Sequence, residues 1–166
     1  MKQHILYVSS ATQTELAKQN FHKLNPKLTK TQGKEKSYLI DHNTHGNLEL
    51  SVHFLENIEG ITPHMRHHPV DLLIYDERNG LDAMKAVSSI AQDCELLAQQ
   101  WGSDFHFPMK RVLVILDESP SLSNKIFNLG RHQVREVIVA PPHLFKILRW
   151  VSRIISTDLN QEQNKI

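Results

Sequence analysis

Pro69-Val70-Asp71-Leu72-Leu73-Ile74-Tyr75-Asp76 decides the fold. An unbroken apolar run from Leu72 to Tyr75 ends in a carboxylate, the pattern of a strand buried on both faces that delivers a polar group at its C-terminal end. Arg111-Val112-Leu113-Val114-Ile115-Leu116 and Val137-Ile138-Val139-Ala140-Pro141 read the same way downstream, and His4-Ile5-Leu6-Tyr7-Val8 does so upstream. Such runs, alternating with helical periodicity, call for a parallel sheet covered by helices on both sides. The fold class is therefore α/β, doubly wound, with a mainly parallel five-stranded sheet.

The segments between these strands carry their own signals. Thr12-Gln13-Thr14-Glu15 reads as a capping box for a helix bearing Leu16, Ala17, Phe21 and Leu24 and ending at Pro26. Residues 27–37, rich in Lys, Thr and Gln, read as a mobile surface loop. Alternation over 38–42 and 48–55 around Asn43-Thr44-His45-Gly46-Asn47 predicts a hairpin insertion near residues 38–55. Thr62-Pro63 opens a short helix, with Ile58, Ile61 and Met65 facing the core. From Gly80 to Gly102, Met84, Val87, Ala91, Cys94, Leu97, Ala98 and Trp101 recur at three-four spacing, which predicts one long amphipathic helix. Ser119-Pro120 opens another, with Leu122, Ile126 and Leu129, and Gly130 serves as its left-handed C-cap. The last helix aligns Leu144, Ile147, Leu148, Val151, Ile154 and Ile155. The reading is one domain over 1–156 and a polar, fraying tail over 157–166.

The chain has 166 residues, enough for one core without disulfides or metals to staple it. Lys and Arg total 19 against 18 for Asp and Glu, a balance that gives no general attraction to nucleic acid or membrane. The single cysteine, Cys94, reads as a buried structural thiol and fits a reducing, cytoplasmic compartment. No apolar run approaches the roughly 20 residues of a membrane span, and the N-terminus leads straight into a strand without a signal-peptide layout.

The order and spacing of the strands resembles the receiver (response-regulator) domain of two-component signalling. Phe127-Asn128-Leu129-Gly130 and then Val134-Arg135-Glu136-Val137-Ile138-Val139-Ala140-Pro141-Pro142, followed by an amphipathic helix, carry the same resemblance. It implies that Asp76 stands at the phosphoacceptor position and that the Ala140–Pro141 peptide is cis. Receivers hold Mg²⁺ with two acidic residues after the first strand, end the fourth strand in a hydroxyl residue and end the fifth in a lysine. Here the first strand ends in Ser9-Ser10, the fourth in Leu116-Asp117 and the fifth in Ala140. Phosphoryl transfer depends on cations that neutralise the transferring oxygens. The pocket of Ser9, Ser10, Leu116, Asp117 and Ala140 thus reads as degenerate, with Asp76 a lone carboxylate held by backbone N–H groups and neighbouring side chains.

The expectation is a pseudo-receiver: no catalytic residue, no cofactor, no metal, and a regulatory role through protein contact independent of phosphorylation. One alternative is an atypical phosphoacceptor using Asp76 with Asp117 or Glu118, the acidic cluster with Glu77 holding Mg²⁺ or Ca²⁺. Another is a small flavodoxin-like enzyme or nucleotide binder with Ser9, Asp76 and Asp117 in its cleft. Ser9 and Ser10 lack the glycine-flanked elbow of a nucleophile and read as cap and turn residues.

Two surface features remain. His64, His67 and His68 are spaced i, i+3 and i+4, but without acidic or cysteine partners they read as surface polar residues; with His42, His45 and His53 they suggest pH-sensitive binding at about pH 6 to 7. Lys146, Arg149 and Arg153 share the outer face of the last helix, Arg131 and Arg135 precede the neighbouring strand, and Phe145 and Trp150 flank the apolar stripe. The resemblance implies that this face meets a protein partner or a second copy, anchored by Trp150.

Overall fold

The computed structural model describes residues 2–23, 30–32, 35–42, 46–78, 84–85, 88, 111–132 and 134–163. In chain order the elements are β1 (Lys2–Val8), α1 (Ala11–His22), β2 (Lys30–Gln32), β3 (Glu35–His42), β4 (Gly46–Leu55), α2 (Ile61–His67), β5 (Leu72–Asp76), β6 (Val112–Leu116), α3 (Leu122–Arg131), β7 (Glu136–Val139) and α4 (Leu144–Gln163). The sheet runs β2-β3-β4-β1-β5-β6-β7. From β4 to β7 every pairing is parallel, so the five-stranded doubly wound sheet predicted from the apolar runs is present. Strand order reverses at β1, which lies between β4 and β5.

Both faces of the sheet are buried, because alternate residues of each strand feed different cores. Leu6, Val8, Leu73, Tyr75, Val112, Val114 and Leu116 pack with Ile61 and Met65 of α2 and Leu129 of α3. Ile5, Tyr7, Leu72, Ile74, Leu113 and Ile115 pack on the other face with Ala17 and Phe21 of α1 and Ile147, Trp150, Val151 and Ile155 of α4. At the lower end of the sheet the Asp71 carboxylate accepts from the His4 backbone N–H (2.8 Å), and Asp71 N–H donates to the His4 carbonyl (2.8 Å), fixing the β1–β5 register.

Several local readings need correction. Residues 27–37 are not simply a loop: β2 and the start of β3 lie within them, and β3 pairs antiparallel with β4 and with β2. Edge pairing supplies the hydrogen bonds that the polar composition hid. The cap of α1 is Ser10 rather than Thr12, its hydroxyl accepting from Gln13 N–H at 3.5 Å. Leu16 is 49% exposed, because Thr14, Ala17 and Phe21 form the buried face. Helix α2 begins at Ile61 with Gly60 as N-cap, not at Thr62-Pro63, and Gly60 N–H donates instead to Asn57 Oδ1 (2.7 Å).

Gly130 lies inside α3 and the C-cap is His132 with φ −93°, so Gly130 is not the left-handed cap of this helix. Helix α4 continues through Gln163, past the 156/157 boundary; a polar stretch without Pro or Gly extends a helix once it is nucleated. Ala140–Pro141 is cis. Residues 84–85 and 88 of the long helix predicted over 80–102 are helical, and Met84 packs on the core; the rest of that helix, Cys94 included, lies outside the described residues.

Candidate functional site

The carboxyl ends of the parallel strands are brought level by backbone bonds. Ser9 N–H donates to Leu55 O (3.0 Å), Glu77 N–H to Ile115 O (3.0 Å) and Ala140 N–H to Leu116 O (2.8 Å). In an open α/β sheet this rim, beside the reversal of strand order, is where ligands and chemistry gather. Asp76 ends β5 there and its side chain is fully buried.

Asp76 has a cation. Arg78 donates to Oδ1 from its backbone N–H (3.1 Å) and from Nε (2.9 Å), and to Oδ2 from Nη2 (2.7 Å). The fork–fork geometry matches both carboxylate oxygens, the strongest form of such a pair. The Arg78 side chain is 15% exposed, so the contact is largely withdrawn from water. The hydrogen bond to Asp76 holds the guanidinium pKa above its ordinary value; partial burial opposes this, while the negative charges of Asp76 and Asp117 reinforce it. Tyr7, buried on β1, has its hydroxyl pKa pushed upward by burial first and by Asp76 second, and so stays neutral. The expectation of a carboxylate without counterion is thereby corrected. The sequence signal is the arginine two residues after the strand-end aspartate.

The other residues at the rim are differently engaged. Glu77 forms an ion pair with Lys125 of α3. Asp117 and Glu118 are exposed. Among the described residues, no group of three or more His, Cys, Asp or Glu is placed to hold a metal ion. Ser9 is buried, its hydroxyl 2.6 Å from Thr14 Oγ1, which ties the end of β1 to α1. Leu116 is fully buried in the core beneath the rim, and Ala140 is partly buried against the opposite core.

Of the basic face, Arg131, Arg135, Lys146, Arg149 and Arg153 are exposed. Arg153 donates to Glu136 Oε2 at 3.0 Å. Trp150, 1% exposed, does not stand on the surface as a partner anchor: among the described residues it is the largest fully buried side chain, because burying an indole against β6 and β7 removes more apolar area from water than any neighbour could. Phe145, 62% exposed, is the aromatic left outside.

The histidines group differently from the sequence reading. His64 stacks with His68 (centroids 4.6 Å, 23°) and with His53 of β4 (4.2 Å, 36°). Sequence spacing alone had no means of bringing in His53. Burial first, and then the neighbouring His53 and His68, lower the His64 pKa to about 4.

Among the described residues, no helix is long and apolar enough to cross a membrane. No family model matches the chain, and no curated protein matches it. A solved structure does: the receiver domain of the TMAO respiratory system response regulator TorR superposes with a TM-score of 0.56 and 12% identity, covering 93% of this chain and 98% of that one. The protein thus has the fold of a receiver domain.

Proposed function

We propose that this protein is a receiver-fold regulatory module whose phosphoacceptor-equivalent carboxylate is already satisfied from within, and that it acts in cytoplasmic signalling by protein contact independent of phosphorylation. The observation that carries the reading is the bidentate Arg78–Asp76 pair. An attacking carboxylate needs a free oxygen in line with phosphorus and cations on the transferring group. Here both oxygens accept from one guanidinium, and no lysine stands at position 140 to read a phosphate. The module has no catalytic step of its own in this reading, and its state is set by what binds it.

The test is incubation of the full chain with acetyl phosphate and Mg²⁺, followed by intact mass spectrometry, beside Asp76→Asn. An unmodified chain supports the reading. A phosphoryl adduct on the parent chain that disappears in Asp76→Asn overturns it and establishes Asp76 as an acceptor.

A further inference from the structure

We infer that His53, His64 and His68 form a binding site for one divalent transition-metal ion of the zinc class, which ties β4 to α2; the site uses no residue of the Asp76 rim. The three imidazoles come from two elements, His53 from β4 and His64 and His68 from α2 and its C-cap. Backbone bonds fix where the side chains start. His64 N–H donates to Gly60 O (3.1 Å) and His68 N–H to His64 O (2.9 Å), while His53 is the register partner of Leu6 in the β1–β4 ladder. The ring centres lie 4.2, 4.6 and 6.4 Å apart. Three imidazoles on one tetrahedral ion, with metal–nitrogen bonds of about 2.1 Å, have their centres about 5 Å apart, so the cluster has the size of a ligand set.

Ring orientation is the remaining step. The planes are inclined to one another by 36°, 23° and 18°, and lone pairs lying in such stacked planes do not meet at one point, so the rings as they stand do not ligate. Histidine χ2 is a broad, roughly two-fold torsion, and turning it re-aims Nδ1 while the ring centre stays close to the Cβ–Cγ axis. His68 is exposed and His53 and His64 are half-buried, which gives an ion a path from solvent and His68 room to turn. Three nitrogen donors suit Zn²⁺, Cu²⁺ or Ni²⁺ rather than the oxygen-seeking Mg²⁺ and Ca²⁺. An imidazole ligates in its neutral form, the form burial favours for His64. Water completes the fourth position.

The full chain is titrated with Zn²⁺ by isothermal titration calorimetry and with Co²⁺ by visible absorption. Saturation at one equivalent is expected, with the intense bands of tetrahedral Co²⁺ and a melting temperature that Zn²⁺ raises and EDTA restores. His53→Gln and His64→Gln each weaken Zn²⁺ binding about tenfold or more, whereas His67→Gln, next to the stack but outside it, leaves the affinity unchanged. Circular dichroism of the variants matches the parent. In the parent chain itself, Zn²⁺ shifts the imidazole ¹⁵N resonances of His53, His64 and His68 together, a readout that needs no variant to fold. Absence of saturable binding, a weak octahedral Co²⁺ spectrum, or affinity indifferent to His53→Gln overturns the inference. Equal loss in His67→Gln does so too, since α2 alone is then the chelator. The acetyl phosphate experiment is separate: an adduct on Asp76 defeats the phosphorylation-independent reading and leaves the metal site standing.

Discussion

Arg78 grips both carboxylate oxygens of Asp76 from only two residues along the chain, using its backbone N–H as well as its guanidinium. The pair closes on itself within one turn, so its geometry depends little on the rest of the rim. Its energetics depend on burial, because the aspartate is removed from water and, among the described residues, the arginine is what offsets that cost.

Replacing Arg78 by Ala leaves a buried, uncompensated carboxylate, with an expected loss of about 3 kcal/mol. The double variant Asp76→Asn/Arg78→Met removes both charges and recovers most of it. Urea unfolding of the single and double variants checks this. Equal stability of Arg78→Ala and the parent would show that the pair contributes nothing.

Thr14→Val deprives the buried Ser9 hydroxyl of its 2.6 Å partner, an expected cost of about 1–3 kcal/mol. Ser9→Ala/Thr14→Val is closer to the parent because no orphan remains. Chemical denaturation of the three chains measures the difference, and a double variant worse than Thr14→Val contradicts the argument.

Trp150→Ala opens a void beneath α4 and is expected to cost about 3–5 kcal/mol. Arg149→Glu, on the exposed face, is expected to stay within about 0.5 kcal/mol. Thermal unfolding of both separates a core role for the indole from a surface role for the arginine. Arg153→Glu is the less clean probe, since it also breaks the pair with Glu136.

The His64 pKa is lowered from 6.5 to about 4 in the folded chain. Between those values the unfolded chain binds more protons than the folded one, so stability rises with pH through this window and falls as pH drops from 6.5 toward 4. His64→Gln is expected to flatten this part of a melting-temperature profile from pH 7 to about pH 4.5. A profile unchanged by the substitution would locate the dependence elsewhere.

The resemblance that the strand runs and the Val134–Pro142 stretch suggested is matched by the structural likeness at the level of fold. Finer readings failed where several local signals competed. At the start of α1 two readings competed, and the capping box at Thr12 gave way to Ser10, itself read as a cap or turn residue, whose hydroxyl accepts from Gln13 N–H. Gly130 looked like a helix stop, yet it lies within α3, which runs one residue further to Arg131 before its cap at His132.

The sequence by itself determined the layered sheet: uninterrupted apolar runs such as Leu72–Tyr75 and Val112–Leu116 have no low-energy place except between two helical layers. It also determined the carboxylate at the end of β5, since that position follows from the strand's length alone. Only the tertiary structure decided that Trp150 turns inward, that His53 joins His64 and His68, and that Glu77 meets Lys125. Each of these depends on the distance and orientation of elements far apart in the chain, which pattern and propensity do not encode. The Arg78–Asp76 pair falls between the two. Its partners are neighbours in sequence, but burial of the strand end is what makes them a bound pair rather than two solvated charges.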